Sequence, residues 1–362
     1  MNGGLTLAKA SNLLHEHLLL LLVLAYVLAL LWPAPGLIAR RPSLGEVTVF
    51  HESTRLTPPV LLLATLLFTA GLGVPVHRLW GMARNKATLL VGLSANVVLP
   101  VAYIFGVMVL MRSWPRPDET QSILTGLALV VSMPIAGSST AWAQTAEGDL
   151  ALSLGLVFGS TLLSPLTTPL VLHAVGLMAQ GGYASDLHRV ATFGTDGFLI
   201  VGIVLPSLLG IACRGLIGDR RLLAAKPVLK LINGLVLLFL NYSNAAVSLP
   251  RAIGRTEMAF FVALLGIVIG LCVTTFTAGW SIARMLSTGR AQRASLMYGL
   301  GLNNNGTGLV LASVALANHP RAMLAIILYN LVQHLVAGAV YHVTRADRSE
   351  RDEEFEGALT HR

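Results

Sequence analysis

Apolar residues fall into ten long runs, separated for the most part by short polar or charged stretches. The runs cover roughly residues 14–33, 59–77, 87–111, 121–146, 150–178, 194–217, 226–249, 257–285, 292–316 and 320–344. Each approaches or exceeds the about twenty residues that cross a bilayer as a helix. Apolar runs of this length are the mark of membrane helices rather than strands. The pattern therefore predicts an all-α membrane protein of ten transmembrane helices, forming one domain over residues 1–344. Two stretches stand apart. Residues 34–58 read as a polar loop with three arginines, and the charged, apolar-poor segment 345–362 is expected to be a disordered cytoplasmic tail.

Composition agrees. The chain is 54% hydrophobic and 12% charged, with mean hydropathy +0.72, whereas soluble domains are about a quarter charged. The net charge of +8 comes from basic residues lying between apolar runs. That pattern argues for orientation in a membrane and against a nucleic-acid partner. With ten helices, 16 of the 25 Lys and Arg fall on the side of the N-terminus, the even-numbered connections and the C-terminus. Both termini are accordingly expected in the cytoplasm of a cell whose inner membrane holds the protein. Trp80 and Trp114, near run ends, read as interfacial anchors. Cys213 and Cys272 lie in separate runs without metal spacing and read as small packing residues. No Cys/His pair, carboxylate dyad or HExxH occurs at membrane depth, so an enzyme is not expected.

Ten helices divide into two sets of five, about 14–178 and 194–344. An odd number per set forces opposite orientations, the inverted-repeat plan of many secondary transporters. The test of that plan is whether helices at matching positions of the two halves are both interrupted. The fourth run holds "SMPIAGSSTAWAQ" (132–144), where Pro134 removes a donor and Gly137 loosens the chain. The ninth holds "GLGLNNNGTGLVLAS" (299–313). Irregular backbone at membrane depth is tolerated only inside protein or beside a water-filled cavity. Two such breaks predict a central site built from helix ends, the amides of Asn303, Asn304 and Asn305, and the hydroxyls of Ser138, Ser139 and Thr140. An all-oxygen set suits a hard cation, and positive half-helix ends suit an anion.

At this point the sequence resembles the bile acid:sodium symporter family. Three stretches carry the likeness: "LLFTAGLGVPVHRLWGMARNKATLLVGLSANVVLP", "SMPIAGSSTAWAQTAEGDLALSLGLVFGSTLLSPLTTPL" and "GLGLNNNGTGLVLA". The resemblance covers about residues 57–344 and implies a panel domain and a core domain. In the core, broken helices 4 and 9 cross near the membrane middle, and sodium is coupled to uptake of a small organic anion. It places sodium ligands at Ser139, Thr140, Ser153, Asn303 and Asn304, with Ser139 and Asn304 the chief ones. It places the substrate near Ser138, Asn305, Gly306 and Thr307. The family's shared acidic residue falls on Gly299, and a nearby hydroxyl position falls on Val157. These departures leave a sodium-independent or proton-coupled carrier as an alternative to symport, with an efflux carrier as another. Among efflux carriers, the arsenite exporters carry a cysteine at the fourth-helix break, where this chain has Met133. His334 is a candidate for proton coupling. Asn241 and Asn244, three apart, either line the crevice or hydrogen-bond across helices, and the second reading is preferred. Asn96 and Thr125 are further candidates beside the crossing.

Overall fold

The structure is a computed structural model that describes residues 9–11, 13, 14, 17–49, 52–75, 86–192, 195–254, 257–316 and 319–360. Arg78, Arg84, Trp80 and Arg362 lie outside the described residues. Helices dominate. In chain order they are α1 (Leu18–Leu31), α2 (Ala34–Ala39), α3 (Pro58–Leu72), α4 (Lys86–Leu110), α5 (Pro117–Val131), α6 (Ser138–Thr145), α7 (Leu150–Gly176) and α8 (Gly181–Thr192). There follow α9 (Thr195–Leu199), α10 (Leu205–Ile217), α11 (Asp219–Ile253), α12 (Met258–Met285), α13 (Arg290–Gly301), α14 (Asn305–Ala315) and α15 (Ala322–Thr360). A π turn, Ile200–Val204, joins α9 to α10.

Among the described residues, six helical segments are long and apolar enough to cross a membrane: Lys86–Ser113, Leu150–Gly176, Gly197–Ile217, Asp219–Ile253, Met258–Met285 and Ala322–Thr344. Helices α1 and α3 are apolar but shorter. Apolar side chains are extensively exposed, among them Leu20, Leu24 and Leu28 at four-residue spacing on α1. Such stripes suit lipid contact, since soluble monomers rarely expose contiguous apolar patches of that extent.

Local chemistry explains the helix limits. Pro58 and Pro117 open α3 and α5, where the missing N–H costs nothing. Asp118 and Glu119 in the first turn of α5 complement the helix dipole. The Asp149 carboxylate caps α7 by accepting from the Ala151 and Leu152 N–H groups. Within α7, Pro165 cannot donate to the Thr161 carbonyl, and the Ser164 hydroxyl donates to it instead, at 2.7 Å.

Packing sorts the helices into two sets. One set joins α3 to α10 and α11, and α11 to α1. The other joins α4, α5, α7, α12, α13 and α15 through several mutual interfaces, with α6 against α13 and α7. Helix α14 lies between the sets, touching both α11 and α15. Backbones approach closely where glycines meet: a Cβ on Gly210 would lie 2.1 Å from the Phe68 carbonyl, and one on Gly71 2.2 Å from that of Ser207. That is the small-residue packing by which membrane helices associate.

Three features depart from the sequence reading. The expected loop at 34–58 contains α2 and an antiparallel hairpin, Glu46–Val49 with Glu52–Arg55. The extra helix α8 is strongly amphipathic and packs on α7, and such a short polar-faced helix does not register as an apolar run. Helix α15 continues to Thr360, through the segment expected to be disordered. Its Ala, Arg, Glu and Leu are good helix formers, so propensity extends the helix past the apolar part. The Trp114 indole N–H donates to the buried Glu119 carboxylate at 2.7 Å.

Candidate functional site at two paired helix breaks

The fourth and ninth apolar runs are both interrupted near their middles. Helix α5 stops at Val131 and α6 starts at Ser138, while α13 stops at Gly301 and α14 starts at Asn305. The halves α13 and α14 have 12 and 11 residues, about 16–18 Å each. The two unwound stretches meet. Ile135 and Asn303 pair as an antiparallel bridge. The Ala136 N–H donates to the Leu302 carbonyl and the Asn304 N–H to the Pro134 carbonyl, both at 2.9 Å.

Unwinding frees backbone groups that have no water to turn to, and several find side-chain partners. The Ile135 N–H donates to Ser160 Oγ (3.0 Å), and the Asn303 N–H to Gln333 Oε1 (3.0 Å). The Ser132 carbonyl accepts from the Thr168 hydroxyl (2.6 Å), and the Gly301 carbonyl from the Tyr329 hydroxyl (3.4 Å). Several side chains, by contrast, have no partner. Nine buried side-chain polar atoms among the described residues have no hydrogen-bond partner, and four of them belong to the two breaks: Ser139 Oγ, Asn303 Oδ1, Asn305 Oδ1 and Thr307 Oγ1. Their residues are 0–3% exposed. An orphaned buried polar group costs about 1–3 kcal/mol, so this concentration of oxygens is expensive unless something fills their lone pairs.

The remaining expected residues fall around these. Ser153 is buried, and its hydroxyl donates to Thr140 Oγ1 at 3.2 Å. Asn304 caps α14, its Oδ1 accepting from the Thr307 N–H at 3.3 Å. Capping uses one lone pair and leaves the other. Asn305 folds back on the break by donating to the Asn303 carbonyl. Gly306 is buried beside Asn304 Oδ1, 3.5 Å from where its Cβ would stand, and Ser138 is half-buried in the first turn of α6. Thr125, on α5, is buried and also lacks a partner. Asn96 lines a small cavity beside the fourth-run break together with Ser132, Met133 and Pro134. Glu147 is exposed at the turn before α7.

The position that lacks a carboxylate is sterically closed. A Cβ on Gly299 would lie 2.8 Å from Leu156 Cδ1, and one on Gly92 2.7 Å from Leu156 Cδ2. The fully buried Leu156 isobutyl group therefore occupies the slot between two glycines, among Ile135, Leu152 and Leu296. Val157 is an apolar neighbour of the same cluster. The donor set is hard, neutral oxygen. It fits a sodium ion held by amide, hydroxyl and carbonyl dipoles, and it does not fit a site that needs a carboxylate at residue 299.

Sequence reasoning missed the polar chain that leaves the crossing. Gln333 Nε2 donates to Asn330 Oδ1 (3.4 Å), and Asn330 Nδ2 donates to the Tyr26 hydroxyl (2.8 Å) and to Asn241 Oδ1 (3.1 Å). Tyr26 also donates to Asn241 (2.8 Å). Asn241 thus hydrogen-bonds across helices, as preferred from its spacing. The chain links the ninth-run break through α15 to α1 and α11. Its available signal was the pair Asn330 and Gln333, three apart in an apolar run.

A relative from Bacillus subtilis (strain 168), the uncharacterized protein YbaS, is 29% identical over 196 residues. The alignment covers 52% of this chain and 58% of that protein, so the chain spans little more than half of the relative's length. The sequence profile of the Sodium Bile acid symporter family matches residues 60–251, more than half of the chain. The chain belongs to the Sodium Bile acid symporter family.

Proposed function

We propose that the protein is a secondary active transporter that carries a small organic anion across the bacterial inner membrane together with sodium, by alternating access. In this reading the ten runs are ten transmembrane helices in two inverted five-helix repeats, with both termini cytoplasmic. Helices α1, α3, α9–α10 and α11 form the panel, and the helices around the two breaks form the core. The single observation that carries the reading is the cluster of four buried, partnerless oxygens where the two broken helices pair. Sodium would take Ser139, Asn303 and further oxygens from Thr140, Ser153 and Asn304. The substrate would lie toward Ser138, Asn305, Gly306 and Thr307. Coupling follows if the cation must be present before the anion's charge is tolerated at depth, since an unpaired buried charge is costly.

A second reading is a sodium-independent carrier of the same fold, and one observation favours it: Leu156 fills the space at Gly299. Proteoliposomes separate the two. We expect uptake of at least one small carboxylate, several-fold faster with an inward Na⁺ gradient than with K⁺, and no such gain in Ser139→Ala. Equal uptake in Na⁺ and K⁺ would select the second reading. No uptake in either would refute both.

A further inference from the structure

A second group of orphaned polar atoms differs in chemistry from the first. Helix α2 lies against α11 so closely that a Cβ on Gly36 would stand 2.9 Å from Ala246 Cβ. This contact carries Arg40, at the end of α2, into the space between α11 and α14. The guanidinium donates to Asn244 Oδ1 of α11 and to Ser313 Oγ of α14, the latter at 2.6 Å. Both acceptors are neutral, and no carboxylate among the described residues forms an ion pair with Arg40. Asn244 Nδ2, and Ser248 Oγ one turn further along α11, are buried with no partner. Those two residues are 0% and 2% exposed.

The breaks thus gather partnerless acceptor oxygens, while this place gathers a cation, an amide N–H and a hydroxyl. A guanidinium has five N–H groups in a fixed fork, and two are used here by neutral partners. The fork matches a carboxylate bidentately. Burial draws Arg40 down to about 10, so it stays charged at neutral pH. An unpaired cation held in a half-buried place is expensive, and a bound anion would remove that cost. Ser313 lies six residues beyond Thr307 on α14, about 9 Å along the helix, which is near enough for an anion here and a cation at the breaks to attract one another.

We propose that Arg40, Asn244 and Ser248 form a carboxylate-binding site, Arg40 being the group that selects an anionic substrate. This rests on the transport reading above, and it adds a charge partner contributed by the segment between the first two apolar runs.

The test uses the full-length protein in detergent, with acetate, lactate, succinate and benzoate as probes. Each is compared with its neutral amide, and inorganic phosphate is added as a separate arm. The readout is the shift in unfolding temperature with ligand concentration. We expect at least one carboxylate, and not its amide, to stabilise the wild type. R40Q should weaken that binding at least tenfold, R40K less, and Ser248→Ala about threefold. Without carboxylate, R40Q should unfold no lower than the wild type, because a charge without a counter-ion has been removed. The proposal is overturned if R40Q binds carboxylate as the wild type does. It is equally overturned if R40Q is destabilised without ligand, which would make Arg40 a structural tie. Stabilisation by phosphate alone, or by none of the probes, overturns it as well. A Na⁺-specific shift that persists in R40Q leaves the transport reading standing whichever way Arg40 falls. Loss of both the Na⁺ shift and uptake in the wild type removes that reading itself.

Discussion

The slot filled by Leu156 allows a quantitative test. Gly299→Ala places a methyl carbon 2.8 Å from Leu156 Cδ1, where packed carbons normally stand about 3.5–4.0 Å apart. Leu156 has little room to retreat, because it is fully buried and packs among Ile135, Leu152 and Leu296. Overpacking of this kind costs about 1–3 kcal/mol. Leu156→Ala empties the slot and should cost about 2–5 kcal/mol. In the double variant the added methyl no longer meets the isobutyl group, so it should be no less stable than Leu156→Ala alone. The cycle then has a coupling energy of about 1–3 kcal/mol in the favourable direction. The assay is the unfolding midpoint of the four purified proteins in one detergent, without sodium. Costs that add to within about 0.5 kcal/mol, or a neutral Gly299→Ala, would refute the claim that Leu156 closes this position.

Further outcomes follow from single contacts. Gly210→Ala drives a methyl to 2.1 Å from the Phe68 carbonyl, and no flexible side chain is there to yield; we expect little monodisperse protein by size-exclusion chromatography, with Gly71→Ala similar. Thr168→Val removes the donor to the Ser132 carbonyl and should cost about 1–3 kcal/mol, read as a lower unfolding midpoint; an unchanged midpoint would mean that the break does not depend on α7. Gln333→Leu leaves the Asn303 N–H without its acceptor and disconnects the chain to Asn330 and Tyr26. Sodium-dependent stabilisation should fall in that variant by more than overall stability does.

Much of this was legible along the chain, and the physical reason is the bilayer. Backbone groups in lipid must bond within their own segment, so length and apolarity alone mark helices such as Leu150–Gly176 and Met258–Met285. The breaks were legible for the complementary reason: Pro134 and the Asn303–Asn305 run make no sense in an uninterrupted lipid-facing helix. What each asparagine does was not legible. Asn303 takes part in the bridge, Asn304 caps α14 and Asn305 bonds back to the Asn303 carbonyl. Those roles are fixed by the antiparallel meeting of stretches about 170 residues apart, which periodicity does not encode. The same holds for Leu156 against Gly299, and for Arg40, which reads as one of three arginines in a loop until Gly36 brings it onto α11.

The central claim is that neutral oxygens at the paired breaks, the partnerless ones of Ser139 and Asn303 among them, hold a sodium ion. Equilibrium binding of radioactive ²²Na⁺ to the purified protein, against excess K⁺ and without substrate, tests it most directly. The account predicts saturable, Na⁺-selective binding that Ser139→Ala weakens at least tenfold. That variant should unfold no lower than the wild type in sodium-free buffer, since it removes a buried oxygen that had no partner. Binding that is absent, that K⁺ displaces as well as Na⁺ does, or that survives the substitution would contradict it.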